Sequence, residues 1–454
     1  MARKLSLLDS GWLMMETRET PMHVAGLQLF TLPEDAPSDY LEQLYQRMLA
    51  VPAVGRPFSQ KLSSRLPGAL DASWVEDEHF DIQYHVRHSA LPRPGRIREL
   101  LALVSRLHAH RLDRSRPLWE CHLIEGVEGN RFAVYTKMHH AMIDGVAGAR
   151  LMASRMAKTA DEIVPMPWSA EWQARLPRAP KPALVARAKA TAMQSLGSFG
   201  RGAGQLAEMM RLPIDGHAKS IYRAPKTLFN KPVTGARRFA AQSWSLARIK
   251  AVGTRLDATV NDVFLAMCAG CLREYLLSQD ALPPEALVAQ VPVALRSAEE
   301  ADEGGNAITA VQVSLGTHLA DPIERLRAIQ ESMGAVKTRL GGMKKDEIFA
   351  LTALTNLPLS LGQVTGVSGR VRPLFNLVIS NVPGPREPLY MAGARMEANY
   401  PVSLIWHGYA LNITVTSYLD NLDLGIIACR DTIPGVQRML DHLEAALAEL
   451  ESLA

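Results

Sequence analysis

Cysteine is scarce. Cys121, Cys268, Cys271 and Cys429 are the four in 454 residues, too few to brace a chain of this size with a disulfide framework. Cys268 and Cys271 spell C-x-x-C, but no second pair stands at zinc-finger spacing and both fall in an apolar helical stripe, so they read as core packing. Long apolar runs are also missing: none approaches the roughly eighteen residues a membrane-spanning helix needs. Arg3 and Lys4 are followed by Asp9 within a short apolar patch, which does not make a signal peptide, so the expected location is the cytoplasm. Charge of one sign is nearly balanced, at a formal +4, which suits an anionic ligand and gives no ground for nucleic-acid binding. An H-E-x-x-H metal motif is absent, so no metal is expected. The lack of G-x-S-x-G argues against a serine-ester route of the α/β-hydrolase kind.

What is present is a chain with 47% hydrophobic and 21% charged residues, long enough for two or three globular domains. Its most informative stretch is His139-His140-Ala141-Met142-Ile143-Asp144-Gly145. Before it, Arg131 to Met138 alternate, with Phe132, Val134, Thr136 and Met138 on one face, so this is a strand. After it, Asp144 stands as an N-cap for a small, apolar segment beginning at Gly145, so the motif is a strand-to-helix turn. An imidazole with an ordinary pKa of roughly 6.5 can accept a proton near neutral pH. Neighbouring strand residues point oppositely, so His139 and His140 cannot both serve one cavity and one of them is structural. Read from the residues alone, the pair could instead do no more than satisfy backbone groups at the turn.

The stretch H-H-x-x-x-D-G resembles the signature of the CoA-dependent acyltransferase superfamily. Further segments narrow the resemblance to the bacterial wax ester synthase/diacylglycerol acyltransferase family over nearly the full length. They are Leu7-Leu8-Asp9, Pro21-Met22-His23-Val24, Trp74, Phe80-Asp81, His85-Val86-Arg87, Pro117-Leu118-Trp119-Glu120, Asn261-Asp262-Val263, Val291 to Arg296, and Ser380-Asn381-Val382-Pro383-Gly384-Pro385. The resemblance implies an α/β fold of two chloramphenicol acetyltransferase-like domains, mixed sheets flanked by helices, with a tunnel at their interface. It implies acyl-CoA as co-substrate with no permanently bound cofactor, and a long-chain alcohol or diacylglycerol as acceptor. His140 is then the general base and Asp144 its conformational support, with Asn261 polarising the thioester carbonyl. His139, Gly145, Pro117, Leu118, Trp119, Asp262 and Arg296 support the motifs, while Ser380, Asn381, Pro383 and Gly384 shape a tight loop beside the acyl-CoA channel.

The residues also allow plainer roles. Pro117-Leu118-Trp119 reads chiefly as a rigid turn with a buried indole. Asn261 precedes the helical stripe Phe264, Leu265, Cys268, Leu272, Tyr275 and Leu276, so its default place is the N-cap. Two other functions stay open: a condensation-type enzyme using carrier-protein thioesters, although no carrier domain is attached, and a non-catalytic lipid-binding or lipid-droplet protein on the same fold, although a binder needs no base.

Along the chain, residues 1–158 form a first domain carrying the histidine turn and 223–454 a second, joined by a linker over 159–222. From Trp172 to Arg201 the linker carries six basic residues and no acid. With Leu184, Val185, Ala188, Met193, Leu196 and Phe199 on one side, it suits either packing across the domains or docking at a membrane or lipid-droplet surface. In the second half, helices are expected from Leu246 to Gly253 and Asn261 to Leu277, and strands over Leu287 to Ala294 and Leu374 to Ser380. A hairpin follows, Leu411 to Ser417 and Leu422 to Ala428, then a final helix with Pro434 at its first position.

Overall fold

The computed structural model describes residues 3–5, 7–64, 72–143, 145–172, 224–294, 308–343, 348, 359, 362–363 and 365–453. Its strands in the first half are β1 (Arg3–Lys4), β2 (His23–Thr31), β3 (Gln60–Leu62), β4 (Ser73–Glu76), β5 (Val86–Ala90), β6 (Trp119–Val127) and β7 (Arg131–His139). Those in the second are β8 (Arg237–Ser245), β9 (Val288–Ala294), β10 (Ile308–Ser314), β11 (Leu377–Val382), β12 (Tyr390–Met391), β13 (Ala394–Val402), β14 (Leu411–Tyr418) and β15 (Asn421–Cys429). Two six-stranded sheets carry the fold, ordered β12-β13-β2-β7-β6-β5 and β10-β9-β11-β14-β15-β8, beside a small sheet β1-β4-β3. Both large sheets are mixed: β5 runs parallel to β6, and β11 parallel to β9 and β14.

Sheet membership does not follow the order of the chain. β12 and β13 come from the second half yet complete the first sheet, β13 pairing antiparallel with β2. This crossing brings the two sheets together. Asn399 on β13 donates its backbone N–H to Asp423 Oδ2 on β15 at 2.7 Å, and Tyr400 meets Ser243 Oγ on β8 at 3.1 Å. The approach is so close that a Cβ at Gly425 would lie 1.9 Å from Pro401 O, so only glycine fits there.

One core cluster lies on the outer face of the first sheet, around Phe30, Phe58, Trp74, Trp119, Phe132 and Trp168. The other spans its inner face and the second sheet and includes Leu100, Leu101 and Val104 of the helix Ile97–Ala109. That helix packs on β8, where Ser105 Oγ accepts the Phe239 backbone N–H at 2.9 Å. Helix Val260–Leu277 is buried on nearly every side, Asp262 to Leu272 without a gap, as an apolar helix without a polar stripe must be. Cys268 and Cys271 lie inside it fully buried, and burial pushes both thiols up, which bears out the core-packing reading.

The expected hairpin of β14 and β15 is present. Two boundaries differ. β11 runs on to Val382, so Ser380 and Asn381 are strand residues, paired with Thr414 and Val415 of β14, and not part of the loop. The last helix is Arg438–Leu453, leaving Pro434 in the turn before it. Gly435 follows with φ +66°, a left-handed conformation that a helix cannot contain. Among the described residues no helix is long and apolar enough to cross a membrane.

Candidate active site

β7 delivers the histidine pair to its turn, and three backbone groups fix it there. The His139 N–H donates to Leu118 O at 2.9 Å, the His140 N–H donates to Met22 O at 2.8 Å, and His139 O accepts the Met142 N–H at 2.9 Å. Helix Gly145–Ser154 begins immediately afterwards. Asp144 and Arg296, two of the expected site residues, lie outside the described residues, as does the basic segment from residue 173 to residue 223.

The two histidines have different surroundings. His139 is fully buried, and its Nδ1 accepts the Ala141 backbone N–H at 3.0 Å. A nitrogen that accepts carries no proton, so the His139 proton sits on Nε2. Nε2 faces Glu16 Oε1 at 3.5 Å, too long for a hydrogen bond and close enough for electrostatic attraction. His140 is half-buried, and its ring stacks on Trp12 with centroids 4.0 Å apart and planes 25° apart.

Glu16 joins these pieces. Its carboxylate accepts the Met22 backbone N–H at 3.3 Å and Arg114 Nε at 3.0 Å, and Arg114 also donates to Leu13 O at 2.6 Å. Burial pushes the carboxyl up, but His139, Arg114 and the Met22 N–H outweigh it, and the group ends below its ordinary value.

Pro117, Leu118 and Trp119 are buried beside the turn. Leu118 O holds His139, as described. The Trp119 indole N–H donates to Phe58 O at 2.8 Å, and the ring packs on His85, Phe58 and Trp168. His85 Nδ1 donates to Trp119 O at 2.7 Å, and burial pushes this imidazole down to about 4. The Pro-Leu-Trp motif is thus the scaffold of the turn, in keeping with the buried-indole reading.

The inner face of the first sheet holds polar groups the alternation did not announce. Lys137 is 1% exposed. It donates to Leu107 O and His110 O at 3.1 and 3.0 Å, closing the end of helix Ile97–Ala109, and pairs with Glu120 at 3.3 Å. His23, opposite His139 in the β2–β7 register, donates from Nε2 to His108 O at 2.9 Å. His108 in turn donates to Ser403 O at 2.7 Å and accepts from Tyr135 at 2.8 Å. Burial holds His23 well down and His108 down to about 3, so both are neutral and structural. No sequence pattern marks this chain, since its links join residues up to 295 positions apart.

In the second half the expected N-cap is corrected. Thr259, not Asn261, caps helix Val260–Leu277: its hydroxyl accepts the Asp262 N–H at 3.2 Å, while Asp262 Oδ2 accepts from Thr259 N at 3.0 Å and Oγ1 at 2.7 Å. This reciprocal box satisfies two donors at once, an advantage Asn261 as cap could not match. Asn261 therefore lies in the first turn, half-buried, its side-chain amide making no hydrogen bond to another described residue. Asp262 is the box partner. Pro383 and Gly384 lie in the irregular stretch after β11, where Gly384 N–H donates to Ser417 Oγ at 3.0 Å and a Cβ would lie 2.0 Å from Ser417 O. The structure thus joins the Pro-Leu-Trp and His-His motifs directly, and sets Asn261 in the first turn of helix Val260–Leu277 and Ser380 to Gly384 at and just after the end of β11.

The comparisons with known proteins agree over the whole chain. Residues 5–264 match the wax ester synthase/diacylglycerol acyltransferase catalytic domain and residues 304–451 the C-terminal domain of the same family. A Mycobacterium tuberculosis protein named as a probable diacylglycerol O-acyltransferase is 44% identical, covering 98% of this chain and 97% of its own. The O-acyltransferase WSD of Acinetobacter baylyi is 41% identical, covering 99% and 97%. The solved wax ester synthase/diacylglycerol acyltransferase of Marinobacter aquaeolei superposes with a TM-score of 0.81 at 42% identity over 99% of each chain. The first condensation domain of the CDA synthetase shares the fold alone, with a TM-score of 0.60 at 14% identity. The chain belongs to the wax ester synthase/diacylglycerol acyltransferase family.

Proposed function

We propose that this protein is an acyl-CoA:alcohol O-acyltransferase that passes a fatty acyl group from the CoA thioester to a long-chain alcohol, a diacylglycerol, or both, with His140 as general base. The observation that carries the assignment is the contrast within the histidine pair: His139 is buried with its acceptor nitrogen already used, whereas His140 stands half-exposed on a turn held from both sides. His140 takes the acceptor's hydroxyl proton as the oxygen attacks the thioester carbonyl. The tetrahedral oxyanion collapses, the C–S bond breaks, and the imidazolium returns the proton to the CoA thiolate. Base catalysis of this kind contributes ~10²–10⁴-fold. Asn261, in the first turn of a helix whose N-terminus carries partial positive charge, polarises the carbonyl and contributes ~10²–10³-fold. A tunnel between the two sheets, open to thioester and alcohol from opposite ends, keeps water from the acyl group.

Acceptors of this kind lie in membranes or lipid inclusions, and the protein docks there peripherally. Support comes from Val367 and Val371, 42% and 54% exposed, flanked by exposed Arg370 and by Lys226, which donates to Arg370 O at 3.0 Å. Co-flotation with phosphatidylcholine/phosphatidylglycerol vesicles, weakened by Val371→Asp, tests this; no flotation rejects it.

Purified protein with palmitoyl-CoA and either hexadecanol or dipalmitin tests the activity. CoA release that depends on the acceptor is expected, and its absence with every acceptor favours the lipid-binding reading. His140→Ala abolishes transfer with the fold retained, while His139→Ala acts through stability. Equal activity of the two folded variants refutes the choice of base.

A further inference from the structure

The base is held from the stretch that runs between the segments Leu7-Leu8-Asp9 and Pro21-Met22-His23-Val24, and Trp12 belongs to neither. Helix Leu7–Met15 carries Trp12, whose indole covers one face of the His140 ring. The same segment reaches the backbone of His140 ten residues later, through Met22 O. Between these two contacts the chain is tightly closed. Thr17 and Thr20 exchange backbone and hydroxyl bonds at 3.2 Å, and Thr20 Oγ1 donates to Met15 O at 3.2 Å. Glu16 holds the Met22 N–H, and Arg114 clamps both Glu16 and Leu13 O. Ring and backbone of one histidine are therefore gripped by a single braced unit, residues 12–22.

We infer that Trp12 is a positioning residue for the acyl-transfer base, a claim that rests on His140 being that base. The stacked indole closes one face of the imidazole, so rotation of the ring about its Cβ–Cγ bond must break the stack. The lone pair and proton of the ring nitrogens lie in the ring plane, so fixing that plane fixes the direction from which a hydroxyl must approach. The contact also strengthens during the reaction. A neutral imidazole on an indole face is held by dispersion and its edge dipoles, whereas the imidazolium formed by proton transfer is a cation over an electron-rich ring. An interaction stronger in the transition state than in the ground state raises turnover and leaves acyl-CoA binding nearly unchanged. Trp12 touches no substrate in this scheme and acts through His140.

The test is steady-state CoA release from palmitoyl-CoA with saturating hexadecanol, for Trp12→Leu, Trp12→Phe, His140→Ala and the Trp12→Leu/His140→Ala double variant. Loss of orientation at a reacting group costs up to about 100-fold, so Trp12→Leu is expected to lower kcat by about 10- to 100-fold, with KM for palmitoyl-CoA within about 2-fold. Trp12→Phe, which keeps an aromatic face, recovers most of the loss. In the His140→Ala background Trp12→Leu leaves the residual rate unchanged within about 2-fold, because the group it acts through is gone. Trp12→Met, apolar and flexible enough to fill the same space, carries the same expectation if the leucine variant does not fold. A Trp12→Leu enzyme with wild-type kcat beside an inactive His140→Ala overturns the inference and leaves the base standing. So does a Trp12→Leu effect of equal size in both backgrounds. A fully active His140→Ala overturns the base itself.

Discussion

Glu16→Ala should damage this protein more than any other single change near the turn. The Glu16 side chain is 1% exposed and that of its partner Arg114 13%, so the pair is shielded from water. Truncation strands the Arg114 charge and the Met22 backbone N–H, and removes the negative charge that faces His139 Nε2. Removing one partner of a buried ion pair costs about 3–5 kcal/mol, a large fraction of a total stability of about 5–15 kcal/mol. Glu16→Gln keeps an acceptor for the Met22 N–H but puts an amide NH2 where Oε2 accepts from Arg114, so an intermediate loss of about 1–3 kcal/mol is expected. Urea denaturation followed by far-UV circular dichroism reads both. The pH dependence has a definite sign. The carboxyl lies below its ordinary value in the folded state, so its stabilisation is complete above the unfolded carboxylate pKa of about 4.3 and is lost as pH falls through the lowered folded value. Wild type should lose that increment in acid, and Glu16→Gln should not. A Glu16→Ala protein within about 1 kcal/mol of wild type would show that Glu16 does not bind the N-terminal segment to the catalytic turn, and the bracing argument would fail with it.

Two further substitutions separate stability from chemistry. Thr259→Ala removes the cap of helix Val260–Leu277 and should cost ~1 kcal/mol in a urea melt with turnover little changed. Asn261→Ala should do the reverse, lowering kcat more than KM at constant stability; a purely affinity effect would make it a binding residue. At the sheet-to-sheet contact, burial pushes Asp423 up to about 6 although it accepts from Ser243 and Asn399. Its folded pKa exceeds its unfolded one, so its ionisation opposes folding above pH 6, by up to about 3 kcal/mol, and the penalty fades as pH falls towards the unfolded carboxylate value. Asp423→Asn should therefore raise the melting temperature at pH 8 and converge on wild type near pH 4; a lower melting temperature at pH 8 contradicts the reading.

Local patterns proved readable wherever one element decides its own fate. Arg131 to Met138 alternate and form β7, and the stripe from Phe264 to Leu276 forms a buried helix. What escaped the sequence depends on distant partners. Lys137 sits in the alternation like a solvent-facing residue, yet carbonyls at the end of another helix and the Glu120 carboxylate make its burial tolerable. β13 looks like any second-half strand until β2 offers it an edge. The cap of helix Val260–Leu277 lies two residues before Asn261, because the Thr259–Asp262 exchange outweighs a lone Asn preference. Trp12 and Glu16 carried no motif, and only the folded chain places them on the histidine pair.

The tautomer of His139 bears on the choice of base independently of any activity measurement. For His139 to abstract a proton from a substrate, its Nε2 would have to be unprotonated, and the neutral ring would then carry its proton on Nδ1. That atom already lies 3.0 Å from the Ala141 nitrogen as acceptor, so the switch would set two N–H donors against each other in a fully buried site. It would also turn a lone pair towards the Glu16 carboxylate. Leaving buried donors unsatisfied costs about 1–3 kcal/mol each, and the opposed lone pair and carboxylate add to it, so the tautomer is locked. Long-range ¹⁵N–¹H correlation spectra of histidine-labelled protein should accordingly show His139 protonated on Nε2 with Nδ1 as an acceptor, assigned by loss of the signal in His139→Gln. A spectrum with the His139 proton on Nδ1 would release Nε2, restore His139 as a candidate base, and remove the physical reason for choosing His140.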